Sequence, residues 1–115
     1  MFYSAQDAIS WARLYNPFPL RSSSDFDTKI RVSRHFEYDK RDLWASIYYS
    51  TKRAAEKLNP LQQKAFILWV NGERIADIKK QVRKGQDFVY SSTDKGYEHL
   101  EYELKRAELI IEPSN

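Results

Sequence analysis

The sequence contains no cysteine, and glycine, proline and histidine are scarce, with three, four and two residues among 115. The absence of cysteine excludes a disulfide framework, a thiolate metal site and a cysteine nucleophile. Few glycines and prolines disfavour a turn-rich all-β architecture. No apolar run approaches the roughly 18 residues of a membrane span, and the start, MFYSAQDAIS, lacks the basic and apolar regions of a secretory signal. We therefore expect a cytoplasmic protein that does not contact a membrane.

Residue sets that would support catalysis are also missing. His35 and His99 are far apart in the chain and have no metal-ligand spacing around them. Asp25 and Asp27 are an isolated pair of carboxylates in a stretch with loop composition. The chain has neither a glycine-rich phosphate loop nor a serine elbow. We expect a protein that is not an enzyme and that needs no metal or other cofactor.

What the sequence does contain is typical of a folded domain with a basic middle. Hydrophobic residues make up 42% and aromatic residues 15%, which predicts a single globular domain over residues 1–115. The formal net charge is +3. Residues 29–57 carry eight basic and four acidic residues, and residues 58–97 carry seven and four, whereas the tail from Glu98 carries two and five. This distribution is a mild indication of a polyanionic partner.

The spacing of apolar residues predicts an all-α fold, a small helical bundle with a long C-terminal helix. Ser4 is a candidate N-cap for a helix over residues 4–16, which Pro17 ends. Residues 17–38 are predicted to be a loop or an extended segment, and a second helix is predicted over residues 39–58. Trp11, Trp44 and Trp69 lie on apolar stripes and are expected in the core.

Residues 60–111 are predicted to hold a helix-turn-helix core followed by the C-terminal helix. One helix runs from Pro60 to Val70 and is capped by Asn71-Gly72, a second spans 74–82, and the last opens near Gln86 and continues through Ala107. Arg83-Lys84-Gly85 forms the turn between the last two. Apolar contacts across that turn would come from Ile78, Val82 and Val89.

This region resembles the C-terminal helix-turn-helix of bacterial sigma factors and of small phage-encoded transcription regulators, including antitermination proteins. The resemblance rests on Leu61, Ala65, Phe66, Trp69, Asn71, Gly72, Ile75, Asp77, Ile78, Val82, Val89 and Leu100. Two positions differ from the family pattern, because Lys79 stands where a small residue is usual and Arg83 stands where the turn glycine is usual. The resemblance implies a phage-type regulator that binds double-stranded DNA and, if antitermination-like, also contacts RNA polymerase.

The expected DNA contacts lie on the turn and on the start of the last helix. With Val89 facing inward, the outward face of that helix holds Asp87, Tyr90, Ser91, Asp94, Lys95 and Glu98. Three carboxylates on this face oppose a polyanion, whereas basic residues gather before and within the turn. The candidate DNA-binding residues are therefore Lys79, Lys80, Arg83, Lys84, Gln86, Tyr90, Ser91 and Lys95.

Other interpretations stay open. Lys52, Arg53 and Lys57 form a secondary basic patch that either binds phosphate or keeps its helix soluble. The acidic outward face favours a protein-interaction module or inhibitor that docks on a host protein complex without binding DNA. A homodimer through the C-terminal helix is a further prediction, based on a stripe of apolar and small residues, Val89, Gly96, Leu100, Leu104, Ala107 and Ile111.

Overall fold

Five helices form the part of the chain that the structure, a computed structural model, describes: residues 2–15 and 38–111. They are α1 (Ala5–Tyr15), α2 (Tyr38–Glu56), α3 (Pro60–Val70), α4 (Ile75–Val82) and α5 (Gln86–Arg106). No strand occurs in these residues, so the predicted all-α class is confirmed. The predicted loop or extended segment 17–38 lies outside the described residues, except that Tyr38 already belongs to α2.

The helix ends follow from local capping. The Ser4 hydroxyl accepts a hydrogen bond from the Asp7 N–H at 3.2 Å, as expected of an N-cap. At the start of α3, Asn59 and Gln62 form a reciprocal capping box around Pro60. Gly72, at φ 89°, ends the same helix as predicted, because its left-handed conformation lets the next N–H reach back to Leu68.

The larger core cluster lies between α1, α2, α3 and α5. Trp44 is fully buried and stacks on Tyr48 at 5.3 Å between ring centroids. Trp11 and Trp69 pack at the edge of the core and stay partly exposed, so the expectation that all three tryptophans are core residues is correct only for Trp44. The exposed parts of Trp11 and Trp69 remain accessible from outside the core.

A smaller cluster joins α3, α4 and α5. Its buried members are Ala65, Ile78, Val82 and Val89, so the three residues predicted to meet across the turn do lie together. Ser92 and Thr93 are also buried on α5, and their hydroxyls are satisfied by the carbonyls of the preceding turn of the helix. This cluster fixes α4 and α5 against each other.

Most of the stripe that was predicted to form a dimer is buried inside the protein's own fold. Val89, Gly96, Leu100 and Leu104 are buried in the protein's own core. Ala107 and Ile111 lie beyond the last residue of α5 and are exposed. A dimer through α5 would therefore have to use other residues.

The apolar residues after α5 are covered by the start of the chain. Glu108 adopts a left-handed conformation, at φ 59°, which turns the backbone away from the helix axis. Phe2 then forms an isolated parallel bridge with Ile110, through hydrogen bonds of 3.0 Å to the Leu109 carbonyl and 2.8 Å from the Ile111 N–H. Leu109 and Ile110 are consequently 8% exposed.

Candidate nucleic-acid interface

Arg83 provides the left-handed residue of the turn between α4 and α5. Its backbone lies at φ 56° and ψ 41°, whereas Gly85 is extended at φ −78° and ψ 175°. Arg83, and not Gly85, is therefore the residue of this turn at which the chain adopts a positive φ. A Cβ added at Gly85 would meet open space, so the glycine predicted to make the turn is not required for it.

Four basic residues surround this turn and are called here the basic turn: Lys79, Lys80, Arg83 and Lys84. Lys80, Arg83 and Lys84 are exposed, and Lys79 is half-buried. Within residues 2–15 and 38–111, no carboxylate forms an ion pair with any of them. Lys84 lies 5.9 Å from the centre of the Phe88 ring. The positive charges of Lys79 and Lys80 also stabilise the C-terminal end of α4 through the helix dipole, so these two residues have a structural role as well.

The start of α5 continues the exposed surface. Gln86 and Tyr90 are four residues apart and share one helical row, and Ser91 and Lys95 form the next. All four are exposed, as predicted.

The carboxylates of α5 have different positions relative to the turn. Asp87 lies in the first turn of α5, where a negative charge stabilises the helix N-terminus. Asp94 and Glu98 are exposed and lie roughly 12 and 18 Å along the helix from Gln86, at 1.5 Å per residue. The basic side chains of this surface thus lie in the basic turn and at Lys95, and the first two turns of α5 add the polar side chains of Gln86, Tyr90 and Ser91 beside Asp87.

The secondary basic patch has a partner that the sequence did not suggest. Glu103 of α5 is 5% exposed, and its two carboxylate oxygens bind Arg53 Nε at 3.1 Å and Lys57 Nζ at 3.0 Å. The hydrogen bond from Lys57 is the largest cause of the lowered pKa of Glu103, and it outweighs the effect of burial. Arg53 also donates to Ser50, and Lys52 is half-buried. Arg53 and Lys57 are therefore engaged within the fold.

This Glu103 cluster lies far from the basic turn. Glu103 and Gln86 are separated by about 25 Å along α5, at 1.5 Å per residue. The two sets of basic residues predicted from the sequence do not form one continuous surface.

A further surface feature, called here the aromatic recess, was not predicted from the sequence. It has a volume of about 480 Å³, and its lining comes from four helices and the connection between α3 and α4: Arg13, Trp69, Gly72, Glu73, Arg74, Ile75 and Tyr90. The Trp69 and Tyr90 rings meet edge to face, with centroids 6.0 Å apart. Only Tyr90 belongs to the predicted DNA-binding residues. The sequence offered no signal for this site, because its members are spread over positions 13–90.

Within the described residues, no group of three or more histidine and carboxylate side chains is placed to bind a metal ion. None of the five helices has the length and apolar character needed to cross a bilayer.

No family model, curated protein or solved structure matches this chain. The described geometry is that of an all-α protein in which four basic residues, without an ion pair among the described residues, surround the turn between α4 and α5.

Proposed function

We propose that the protein is a phage-type transcription regulator that binds double-stranded DNA through α4, the basic turn and the start of α5. The observation that carries the proposal is the basic turn, whose four cations have no carboxylate partner in the described residues. Cations that are not neutralised by the protein are available to phosphates, which supply most of the non-specific affinity for DNA.

The left-handed Arg83 supports the same proposal. It gives a tight connection between α4 and α5, the arrangement in which a helix-turn-helix places its second helix in the major groove. In this arrangement the exposed side chains of Gln86, Tyr90 and Ser91, at the start of the second helix, would contact base edges. The sequence resemblance to sigma-factor and antitermination helix-turn-helices adds contact with RNA polymerase to this proposal.

The second candidate is a module that docks on a host protein without binding DNA. Asp94 and Glu98 favour it, because two exposed carboxylates on the outward face of α5 repel phosphate. In this alternative the acidic second half of α5 meets a basic partner surface, and the basic turn is a solvated helix end.

Replacing Arg83 and Lys84 with alanine should weaken binding to every duplex sequence. If both side chains contact phosphate, the slope of log affinity against log salt should become shallower by roughly one to two units. Fluorescence anisotropy with labelled duplexes at several salt concentrations measures both quantities.

The matched control replaces Lys105 and Arg106, two exposed basic residues at the far end of α5, with alanine. It removes the same charge and should leave the slope unchanged. An unchanged slope in the Arg83 and Lys84 variant contradicts the DNA proposal, and absence of duplex binding by the unaltered protein at low salt favours the protein-docking alternative.

A further inference from the structure

The aromatic recess includes Tyr90, one helical turn after Gln86, and residues at the N-terminal end of α4, and it has a chemistry of its own. Its volume of about 480 Å³ falls within the usual range for small-molecule sites. Its lining combines two aromatic rings, one isoleucine, two guanidinium groups and one carboxylate. Such a site offers flat apolar surface and a net positive charge to the same ligand.

Two rings form one side of the recess at nearly a right angle. The Trp69 and Tyr90 planes are inclined by 76°. Burial raises the pKa of the neighbouring Tyr97 hydroxyl, and a hydrogen bond from the Trp69 indole to that hydroxyl opposes the shift. Tyr90 is 42% exposed, so its ring extends the aromatic surface outward. A planar ring that enters the recess would stack on one of these faces while contacting the edge of the other.

Two arginines provide the positive charge. The Arg13 guanidinium lies directly against Gly72, so closely that a Cβ at this position would overlap it. Arg74 precedes α4, is exposed, and makes no side-chain capping bond. In the described part of the chain neither arginine forms an ion pair, although Glu73 also lines the recess. Among the described residues, therefore, no carboxylate competes through an ion pair with an anion that binds these two guanidinium groups.

We propose that the aromatic recess binds a nucleotide unit that is not stacked in a duplex. Its base would lie against Trp69 and Tyr90, and its phosphate would be bound by Arg13 and Arg74. A guanidinium group matches the geometry of phosphate oxygens, and a base stacks on an aromatic ring whatever its sequence. A paired base in a duplex presents no free face, so the recess takes an unpaired nucleotide, and it shares only Tyr90 with the surface proposed for duplex DNA. The unit comes either from a free nucleotide or from single-stranded nucleic acid.

A nucleotide fits this site better than an acidic peptide does. Carboxylates would satisfy the arginines but would leave the Trp69 and Tyr90 rings uncovered. A nucleotide would contact the two aromatic rings through its base and the two arginines through its phosphate.

The test is a titration of the full chain, followed by tryptophan fluorescence and by calorimetry, with four probes. These are adenosine monophosphate, adenosine, ribose 5-phosphate and a single-stranded tetra-deoxyadenylate. Adenosine monophosphate should bind at least tenfold more tightly than adenosine or ribose 5-phosphate, because each of these lacks one half of the recognised unit. Tighter binding of the tetranucleotide than of the mononucleotide identifies single-stranded nucleic acid as the source, and the reverse identifies a free nucleotide.

Two variants separate the contributions of charge and stacking. Replacing Arg13 and Arg74 with alanine should weaken the mononucleotide about tenfold or more, whereas Tyr90→Ala should weaken the mononucleotide and leave ribose 5-phosphate unchanged. Arg13, Arg74 and Tyr90 are all exposed, so both variants should fold, and circular dichroism verifies that they do. The variant with alanine at Lys105 and Arg106 is the charge-matched control and should bind as the unaltered protein does.

Three results would overturn the proposal. They are equal affinity for ribose 5-phosphate and adenosine monophosphate, an Arg13 and Arg74 variant that binds like the control, and an acidic peptide such as tetraglutamate that binds more tightly than the nucleotide. The salt slope for duplex DNA depends on Arg83 and Lys84, so failure of this proposal and failure of the duplex proposal are distinguishable.

Discussion

Arg83 places a charged side chain at a backbone position that favours glycine. At φ 56° the Cβ of an L-residue lies close to its own carbonyl oxygen, which costs about 1–2 kcal/mol. No hydrogen bond or ion pair of the Arg83 side chain offsets this cost in the described residues. The residue therefore makes the turn less stable than a glycine would, and its charge is available to a partner.

Replacing Arg83 with glycine should raise the free energy of unfolding by about 0.5–1 kcal/mol. The gain is smaller than the relieved strain because glycine increases the entropy of the unfolded chain. Urea denaturation followed by circular dichroism measures the change. Lys84→Gly is the neighbouring control, and because Lys84 has no positive φ, this change should lower stability. A loss of stability in Arg83→Gly would show that the side chain has a structural role in the turn.

At the scale of the elements, α3 and α5 approach each other closely at Gly96. A Cβ built on Gly96 would lie 2.2 Å from the nearest carbon of the Phe66 ring, and Phe66 is fully buried. Phe66 in turn meets Tyr97 edge to face, with centroids 5.5 Å apart. The ring cannot move aside without disturbing the α5 neighbours that hold it.

Gly96→Ala should therefore lower the free energy of unfolding by about 1–2 kcal/mol. Overpacking typically costs 1–3 kcal/mol, and the better helix propensity of alanine offsets up to about 1 kcal/mol of this. Thermal and urea denaturation measure the loss. Gly85→Ser serves as the contrast, because a side chain there meets open space and can cap α5. Stability unchanged by Gly96→Ala would mean that α3 and α5 separate easily.

Sequence reasoning located the helices well because their ends carry local signals. Pro60 and Gly72 mark α3 through their own backbone preferences, and the start predicted for α5, Gln86, is the residue at which it begins. The end predicted for α5, Ala107, is its C-cap, although the apolar spacing continues to Ile111 and Glu108 turns the backbone away. Helix propensity alone does not reveal a left-handed residue that is not glycine.

At the scale of the whole molecule, Glu103 links α2 to the last turns of α5. It lies 50 positions after Arg53 in the chain, so no local pattern indicated the ion pairs that changed the interpretation of the secondary basic patch. The basic turn could be predicted because its members are neighbours in sequence. The aromatic recess could not, because only folding brings α1 to the connection between α3 and α4.

Glu103→Gln should lower the free energy of unfolding by about 1–2 kcal/mol at pH 7. Charged hydrogen bonds are worth about 1.5–3 kcal/mol, and the value is reduced here because Arg53 and Lys57 are half-exposed and can be hydrated. Urea denaturation measures the loss. Glu101→Gln, which alters an exposed pair with Lys105, is the matched control and should change stability by less than about 0.5 kcal/mol.

The two ion pairs of Glu103 also make the stability of the protein depend on pH in acid. Because the pKa of Glu103 is lower in the folded state, its contribution is complete above the ordinary value of 4.5 and is lost as the pH falls through the folded pKa. The difference in stability between the unaltered protein and Glu103→Gln should therefore shrink below about pH 4.5. A difference that stays constant down to pH 3 would contradict this assignment.

The bridge between Phe2 and Ile110 has a kinetic consequence. Closing a loop of about a hundred unstructured residues costs about 4 kcal/mol of chain entropy, so this contact cannot nucleate folding and must follow the docking of the helices. Phe2→Ala, which also removes the ring packed 5.7 Å from Trp11, should speed unfolding and leave the refolding rate unchanged in stopped-flow fluorescence. Slower refolding of the Phe2→Ala variant would contradict this order, because it would show that the bridge is already formed in the folding transition state. We therefore expect the bridge between Phe2 and Ile110 to form last in folding and to open first in unfolding.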